Sequence, residues 1–204
     1  MPDTTPASIF QQPASLAALP PAMRRAVEQA ASVARSRGER IYLVGGAVRD
    51  LLLELPVRDL DLALEGDAPG LVSSLSARLG ARATVHERFG TATLELPGGS
   101  RMDIATTRRE TYAHPGALPE VSAGASLAED LLRRDFSIHA MALDVSRRSA
   151  ALLDPCGGAQ DLGRQGRTPG RRRLLLAHEG TGSVACASRR TSRYQRRSAE
   201  QVTT

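Results

Sequence analysis

The sequence predicts an α/β (α+β) domain, a small mixed sheet flanked by helices, followed by a basic tail without regular structure. Three observations carry this expectation. Strand and helix patterns are interspersed between residues 21 and 163, but not in strict strand–helix–strand alternation. The 41% hydrophobic content supports a packed core, and with 3% aromatics and no Trp that core must be mostly Leu, Val, Ile and Ala. The charge is divided: residues 1–163 hold 17 Arg against 20 acids (net −3), whereas residues 164–204 hold 10 Arg against 2 acids (net +8). The formal net charge of +5 therefore belongs to the tail, and the body of the chain gives no electrostatic argument for nucleic acid by itself.

The elements follow in order. Residues 1–20, rich in Pro, Ala, Ser and Gln, read as a disordered lead. Met23, Val27, Ala30, Ala31 and Ala34 recur at helical spacing over 21–37, with Gly38 as C-cap. Residues 41–44 read as a buried strand, Gly45-Gly46 as a tight turn and 47–53 as a short helix. Acid and apolar residues alternate over 59–65, which predicts a strand with Asp59, Asp61 and Glu65 on one face and Leu60, Leu62 and Leu64 on the other. A helix over 69–79 opens on Pro69 and stops at Gly80. Strands at 91–96 and 102–106 are joined by the turn 97–100. Residues 111–124, with Pro115, Gly116 and Pro119, read as a loop. Ser126-Leu127-Ala128-Glu129 is a capping box, so a helix starts there and runs through Arg133. Residues 152–155 suit a final edge strand, which puts the head domain at 21–163 and the tail at 164–204. No apolar run approaches the roughly 20 residues a membrane helix needs, so no membrane partner is expected. Cys156 and Cys186 make neither a metal spacing nor a disulfide framework, as expected of a cytoplasmic protein.

Three constellations carry chemistry. The strand-to-helix turn at Gly45-Gly46 can expose backbone N–H groups to a phosphate, and Arg49 projects one helical turn later, where a guanidinium can grip one. Asp59 and Asp61, two residues apart in a strand, point the same way, and two such carboxylates call for a neutralising cation; Mg2+ suits their hard oxygens. Asp103 is a candidate third carboxylate, able to take a proton from an attacking hydroxyl or to ligate a second metal. In Asp130 to His139, Arg133 and Arg134 suit the end of a capped helix on dipole grounds alone, while the functional reading puts Arg134 on a triphosphate with Asp135 as its orienting partner. His86, His114 and His139 share no metal spacing and read as surface or loop residues. Arg108, Arg109 and Tyr112 read equally as contacts to RNA backbone or as a solvated face.

Taken together, Leu43-Val44-Gly45-Gly46-Ala47-Val48-Arg49-Asp50, Arg58-Asp59-Leu60-Asp61, Asp103-Ile104-Ala105-Thr106 with Arg108 and Glu110, and Arg133-Arg134-Asp135-Phe136-Ser137-Ile138 closely resemble the class II tRNA nucleotidyltransferase and bacterial poly(A) polymerase family. The resemblance covers roughly residues 37–163. It implies the nucleotidyltransferase head of the polymerase β superfamily, Mg2+ at Asp59 and Asp61, and nucleotide contacts from Gly45, Gly46, Arg49, Arg134 and Asp135. It implies ATP and CTP as substrates and the 3′ end of tRNA, or another RNA, as the acceptor. Residues 111–124 would be the loop that family members use in switching nucleotides. A poly(A) polymerase and a non-catalytic head that binds nucleotide at most are the alternatives. The resemblance leaves oligomeric state open.

Two departures from the family pattern stand out. Glu54 occupies a position where the family usually has Gly; if that residue is a left-handed helix cap, Glu costs on the order of 1 kcal/mol there. His139 replaces the usual Asn, and Ser137 the usual Thr. Beyond Gly163 the resemblance ends, and the Glu-Asp-x-x-Arg motif with which the family's neck domain reads the nucleobase is not found. The composition change there suggests a frameshifted neck, with weak or absent activity expected from this chain.

Overall fold

The computed structural model describes residues 15–111, 113, 114, 118, 120–147 and 151–166, with side chains to residue 163. Tyr112, most of the tail and the frameshift reading lie outside these residues. The core begins ahead of the predicted helix: Leu16–Ala18 form a 3-10 turn capped by Ser15, and Leu19 is buried.

Nine strands and five helices are described. They run α1 (Pro21–Ser36), β1 (Arg40–Val44), α2 (Gly46–Leu52), β2 (Leu60–Glu65), α3 (Ala68–Leu79), β3 (Arg82–His86), β4 (Thr91–Glu95), β5 (Arg101–Thr106), β6 (Arg108–Thr111), β7 (Glu120–Ala123), α4 (Leu127–Leu132), β8 (Ala142–Asp144), β9 (Ala151–Leu153) and α5 (Gly158–Gly166). Seven strands form one mixed sheet in the order β3-β4-β5-β2-β1-β8-β9, with β2 and β5 parallel and the other pairs antiparallel. The remaining two, β6 and β7, make a separate ribbon.

Period-two alternation sorts the sheet into two faces. Ile41, Leu43, Leu60, Leu62, Leu64, Met102 and Ile104 join the larger core, where Met23, Val27 and Ala30 of α1 and Leu71 and Leu75 of α3 cover them. Tyr42, Val44, Ala63 and Ala142 face the other way and pack under Leu127 and Leu131 of α4. Asp61 alternates with Leu60 and Leu62, so it emerges on the α4 face of the sheet.

Local chemistry explains the boundaries. Ser126 accepts from the Glu129 N–H while Glu129 accepts from the Ser126 N–H, which fixes the start of α4. Helix α2 ends in a Schellman motif: the Leu55 N–H reaches the Asp50 carbonyl at 2.8 Å and the Glu54 N–H the Leu51 carbonyl at 3.2 Å. Glu54 lies at φ 55°, the one non-glycine residue of positive φ among the described residues. The cost expected of a side chain in the left-handed region is therefore incurred here. Asp154 accepts from the Gly158 and Ala159 N–H groups at 2.7 and 3.0 Å at the head of α5.

Several expectations are corrected. The segment read as a loop over 111–124 includes β7 and the end of β6. Strand β3 was not expected because all five of its residues are exposed at the sheet edge, so no apolar alternation marks it. Strand β8 is short and fully buried, and its three residues carry no period. Cys156 is buried beside Ala140; Cys186, and with it the expectation that the two cysteines form no disulfide framework, lies outside the described residues. Among the described residues no helix is long and apolar enough to cross a membrane.

Candidate active site

The turn between β1 and α2 is shaped by Gly45, at φ 66° and ψ −130°, a conformation that only glycine adopts without strain. Space is tight as well: a Cβ there would stand 3.3 Å from Arg134 Nη1, which would have to shift by a few tenths of an ångström, and 3.9 Å from Asp61 Oδ2. Three separated motifs thus meet over one Cα atom. The phosphate cradle expected of this turn is narrower than the sequence suggests, because the Gly45 N–H already donates to the Met141 carbonyl at 3.2 Å. The first intrahelical bond runs from the Arg49 N–H to the Gly45 carbonyl, which leaves Gly46, Ala47 and Val48 as the N–H groups of the opening turn, with no intrahelical acceptor.

The carboxylates are arranged across two strands. Asp59 falls in a bend just before β2, which begins at Leu60, so the predicted strand starts one residue too early. Its Oδ1 accepts from the Arg101 N–H at 3.4 Å. Asp61 and Asp103 are register partners on parallel β2 and β5. Burial, and then the charge of Asp103, push the Asp61 carboxyl above its ordinary value, with Asp59 adding to the effect and Arg134 and Arg101 opposing it. One edge of Asp61 remains open to solvent, so the desolvation comes from the protein mass behind it. Asp103 accepts from the Thr93 hydroxyl and from Arg101 Nη2 at 3.3 Å. Among the described residues no three His, Cys, Asp or Glu side chains form a ready metal cage. The donor set nonetheless fits a hard cation: hard oxygens line an open cleft, and burial together with the neighbouring carboxylates disfavours the Asp61 carboxylate, a cost that a cation would relieve.

The arginines are held by Asp130, Asp50 and His139, residues whose part in holding them is not visible in the sequence. Arg134 Nη2 donates to Asp130 Oδ2 at 3.1 Å, and Nη1 donates to the His139 carbonyl at 3.3 Å. Asp130, not Asp135, is therefore the carboxylate that orients Arg134. The choice follows from local geometry, since Asp130 on α4 lies four residues before Arg134, which sits in the bend just past the helix, whereas Asp135 is exposed. Asp130 is buried and also binds Arg133 at 2.8 Å and the Arg108 N–H at 3.3 Å. Burial raises its carboxyl, but Arg134 and Arg133 outweigh that and hold it below its ordinary value. The capping box, visible in the sequence, was the available signal for Asp130, which it places in the helix's first turn facing the sheet. Arg49 binds Asp50 at 2.9 Å and meets His139 Nε2 at 2.6 Å. His139 is accordingly a bridge inside the site rather than a loop residue. Arg108 and Arg109 pair with Glu110 and Glu129.

Three adjoining hollows connect these groups. One of about 450 Å³ is lined by Gly46, Arg49, Asp50, Arg58, Asp59 and Asp61. A second of about 560 Å³ holds Asp61, Thr93, Asp103, Asp130 and Arg134. A third of about 450 Å³ holds Arg108, Glu110, Arg133, Arg134, Asp135 and His139. Asp61 borders the first two and Arg134 the last two.

Paired carboxylates on adjacent strands, flanked by arginines at a glycine turn, are the donor set that phosphoryl-transfer chemistry needs. The chain belongs to the poly(A) polymerase head-domain family, whose head domain matches residues 41–166. It is 48% identical over 124 residues to the A-adding tRNA nucleotidyltransferase of Aquifex aeolicus, a match spanning 60% of this chain and 15% of that protein. It is 40% identical over 156 residues to the CC-adding tRNA nucleotidyltransferase of Deinococcus radiodurans, spanning 76% of this chain and 41% of that one. Among solved structures, a tRNA nucleotidyltransferase complexed with a primer tRNA and an incoming ATP analogue is similar over 67% of this chain and 37% of its own, with TM-score 0.56 and 39% identity. The chain thus spans well under half the length of these proteins.

Proposed function

We propose that this chain carries the catalytic head of an RNA nucleotidyltransferase that adds CMP or AMP, from CTP or ATP, to the 3′ end of tRNA, with Mg2+ held by Asp59 and Asp61. The observation that carries the reading is the pairing of Asp61 with Asp103 beside Arg134 at the Gly45 turn. The A-adding and CC-adding activities named for its relatives point to the same acceptor and to the same nucleotides.

Each group has a task. Asp59 and Asp61 would hold the cation, which when bound would supply Lewis-acid stabilisation of charge on the transferring phosphoryl group. Asp103, on the neighbouring strand, accepts the proton of the attacking 3′-hydroxyl; the Thr93 hydroxyl donates to one of its oxygens and so orients it. Arg49 and Arg134 offer fixed positive charge to the triphosphate, so little reorganisation is needed when charge moves to pyrophosphate. Arg134 retains a buried Nε–H without an acceptor among the described residues, a donor that a phosphate oxygen would satisfy.

The test is incorporation of radiolabelled CMP or AMP into tRNA lacking its 3′ terminus. Addition of one to three nucleotides, lost in Asp61→Ala, supports the reading. Equal extension of a generic RNA primer would point instead to poly(A) addition. Nucleotide binding without incorporation would identify a head that binds but does not catalyse.

A further inference from the structure

We infer that His139 is a positioning residue, which sets the spacing of the two triphosphate-binding arginines through its side chain for one and its backbone for the other. Arg49 comes from α2 and Arg134 from the end of α4, and no hydrogen bond between them is described. His139 touches both: its ring Nε2 meets Arg49 Nη1 at 2.6 Å, and its carbonyl accepts from Arg134 Nη1 at 3.3 Å. The residue is itself held in place. It lies in the 3-10 turn Ser137–His139, its ring packs edge-on against Phe136 at 6.0 Å, and Ser137 bonds Asp161 of α5. This inference rests on the nucleotide reading above and deepens it.

The chemistry dictates the state of the ring. A guanidinium nitrogen can only donate, so Nε2 must accept, and a neutral ring must carry its proton on Nδ1. Protonation of the second nitrogen would remove that acceptor and set two cations against each other. The surroundings are mixed in sign. Asp50 lies on α2 with Arg49, Arg133, Arg134 and Asp135 follow α4, Arg108 and Glu110 of β6 share the hollow, and Asp161 approaches from α5. Protonation of the ring would act on the Arg49 contact, while Arg134 keeps its Asp130 and carbonyl partners.

Two measurements on the 204-residue chain test this. The first is Mg-ATP titration by calorimetry between pH 5.5 and 8. H139A is expected to weaken ATP binding roughly tenfold at pH 8, the loss of one charge-assisted hydrogen bond. H139Q, whose amide oxygen can reach the same point, is expected to restore the affinity and to remove the loss that the unsubstituted chain shows toward pH 5.5. Wild-type affinity in H139A, or an unchanged acid profile in H139Q, overturns the inference. The second reads no nucleotide: imidazole 15N NMR at pH 8, with the His139 resonance assigned by its absence in H139Q. A ring protonated on Nδ1 with Nε2 bare supports the inference, and an Nε2-protonated ring overturns it. Failure of both the unsubstituted chain and R134A to bind ATP would instead count against the nucleotide reading, with the NMR result still deciding the His139–Arg49 contact.

Discussion

Asp61 and Asp103 face each other as register partners on the parallel strands β2 and β5, and the proximity of the second carboxylate, after burial, raises the first. A folded carboxyl raised above its ordinary value makes the fold less stable as pH rises through that range, because the unfolded chain gives up its proton more readily. A bound divalent cation offsets that cost. Mg2+ at millimolar concentration is therefore expected to raise the melting temperature of the protein at pH 7.5. Asp61→Asn should melt higher than the unsubstituted chain without metal and should show no Mg2+ response. Differential scanning calorimetry with and without Mg2+ checks both, and a full Mg2+ response in the variant would remove Asp61 from the metal site.

Asp130 behaves in the opposite sense. Its carboxyl is held below the ordinary value by Arg134 and Arg133, so its contribution is present above the unfolded value near 3.8 and is lost as pH falls through the lower folded one. Asp130→Asn removes the carboxylate that pairs with Arg134 and leaves Arg133 with Glu110 alone. The expected loss is about 2 kcal/mol at pH 7, below the usual range for a fully buried pair because both arginines keep some solvent contact. Urea unfolding at pH 7 and at pH 3 should show this difference shrinking in acid.

Gly45→Ala combines a forbidden backbone conformation with a Cβ 3.3 Å from Arg134 Nη1. The strain is worth roughly 1–3 kcal/mol, and the arginine must give way. The variant should be less stable by denaturant titration and should bind ATP more weakly than its stability loss explains. A stable variant with unchanged ATP affinity would show that the turn does not position Arg134.

Glu54→Gly should do the reverse. Glu54 sits at φ 55° in the Schellman motif that ends α2, and no hydrogen bond or salt bridge of its side chain is described. Replacing it by glycine removes a left-handed penalty of about 1 kcal/mol. Thermal unfolding should shift upward by a few degrees, with nucleotide binding unaltered.

The motifs were legible because each is local. Paired glycines between a β-branched apolar run and a helix, acids alternating with Leu over 59–65, and Ser126 three residues before Glu129 all announce their backbone conformation within a few residues. Glu54 differs, since its left-handed conformation at φ 55° was raised only as a condition, from the glycine that the resembling family usually has there. Elements at the sheet margins were not legible. Strand β3 is exposed on every residue and β8 is buried on every residue, so neither has a period to read.

The chain's order of residues was enough to predict the mixed architecture and to nominate the carboxylates, the glycine turn and the arginines as candidates, because each rests on short-range spacing. It could not say which carboxylate holds which arginine. Asp135 is adjacent to Arg134 in the chain, yet Asp130 wins because the chain turns back just past the end of α4 and brings Arg134 over Asp130, where burial strengthens the pair. Nor could spacing reveal His139 against Arg49, ninety residues apart, or Asp103 beside Asp61, forty-two apart. Those contacts exist only once β2 pairs with β5 and the turn after α4 folds against α2.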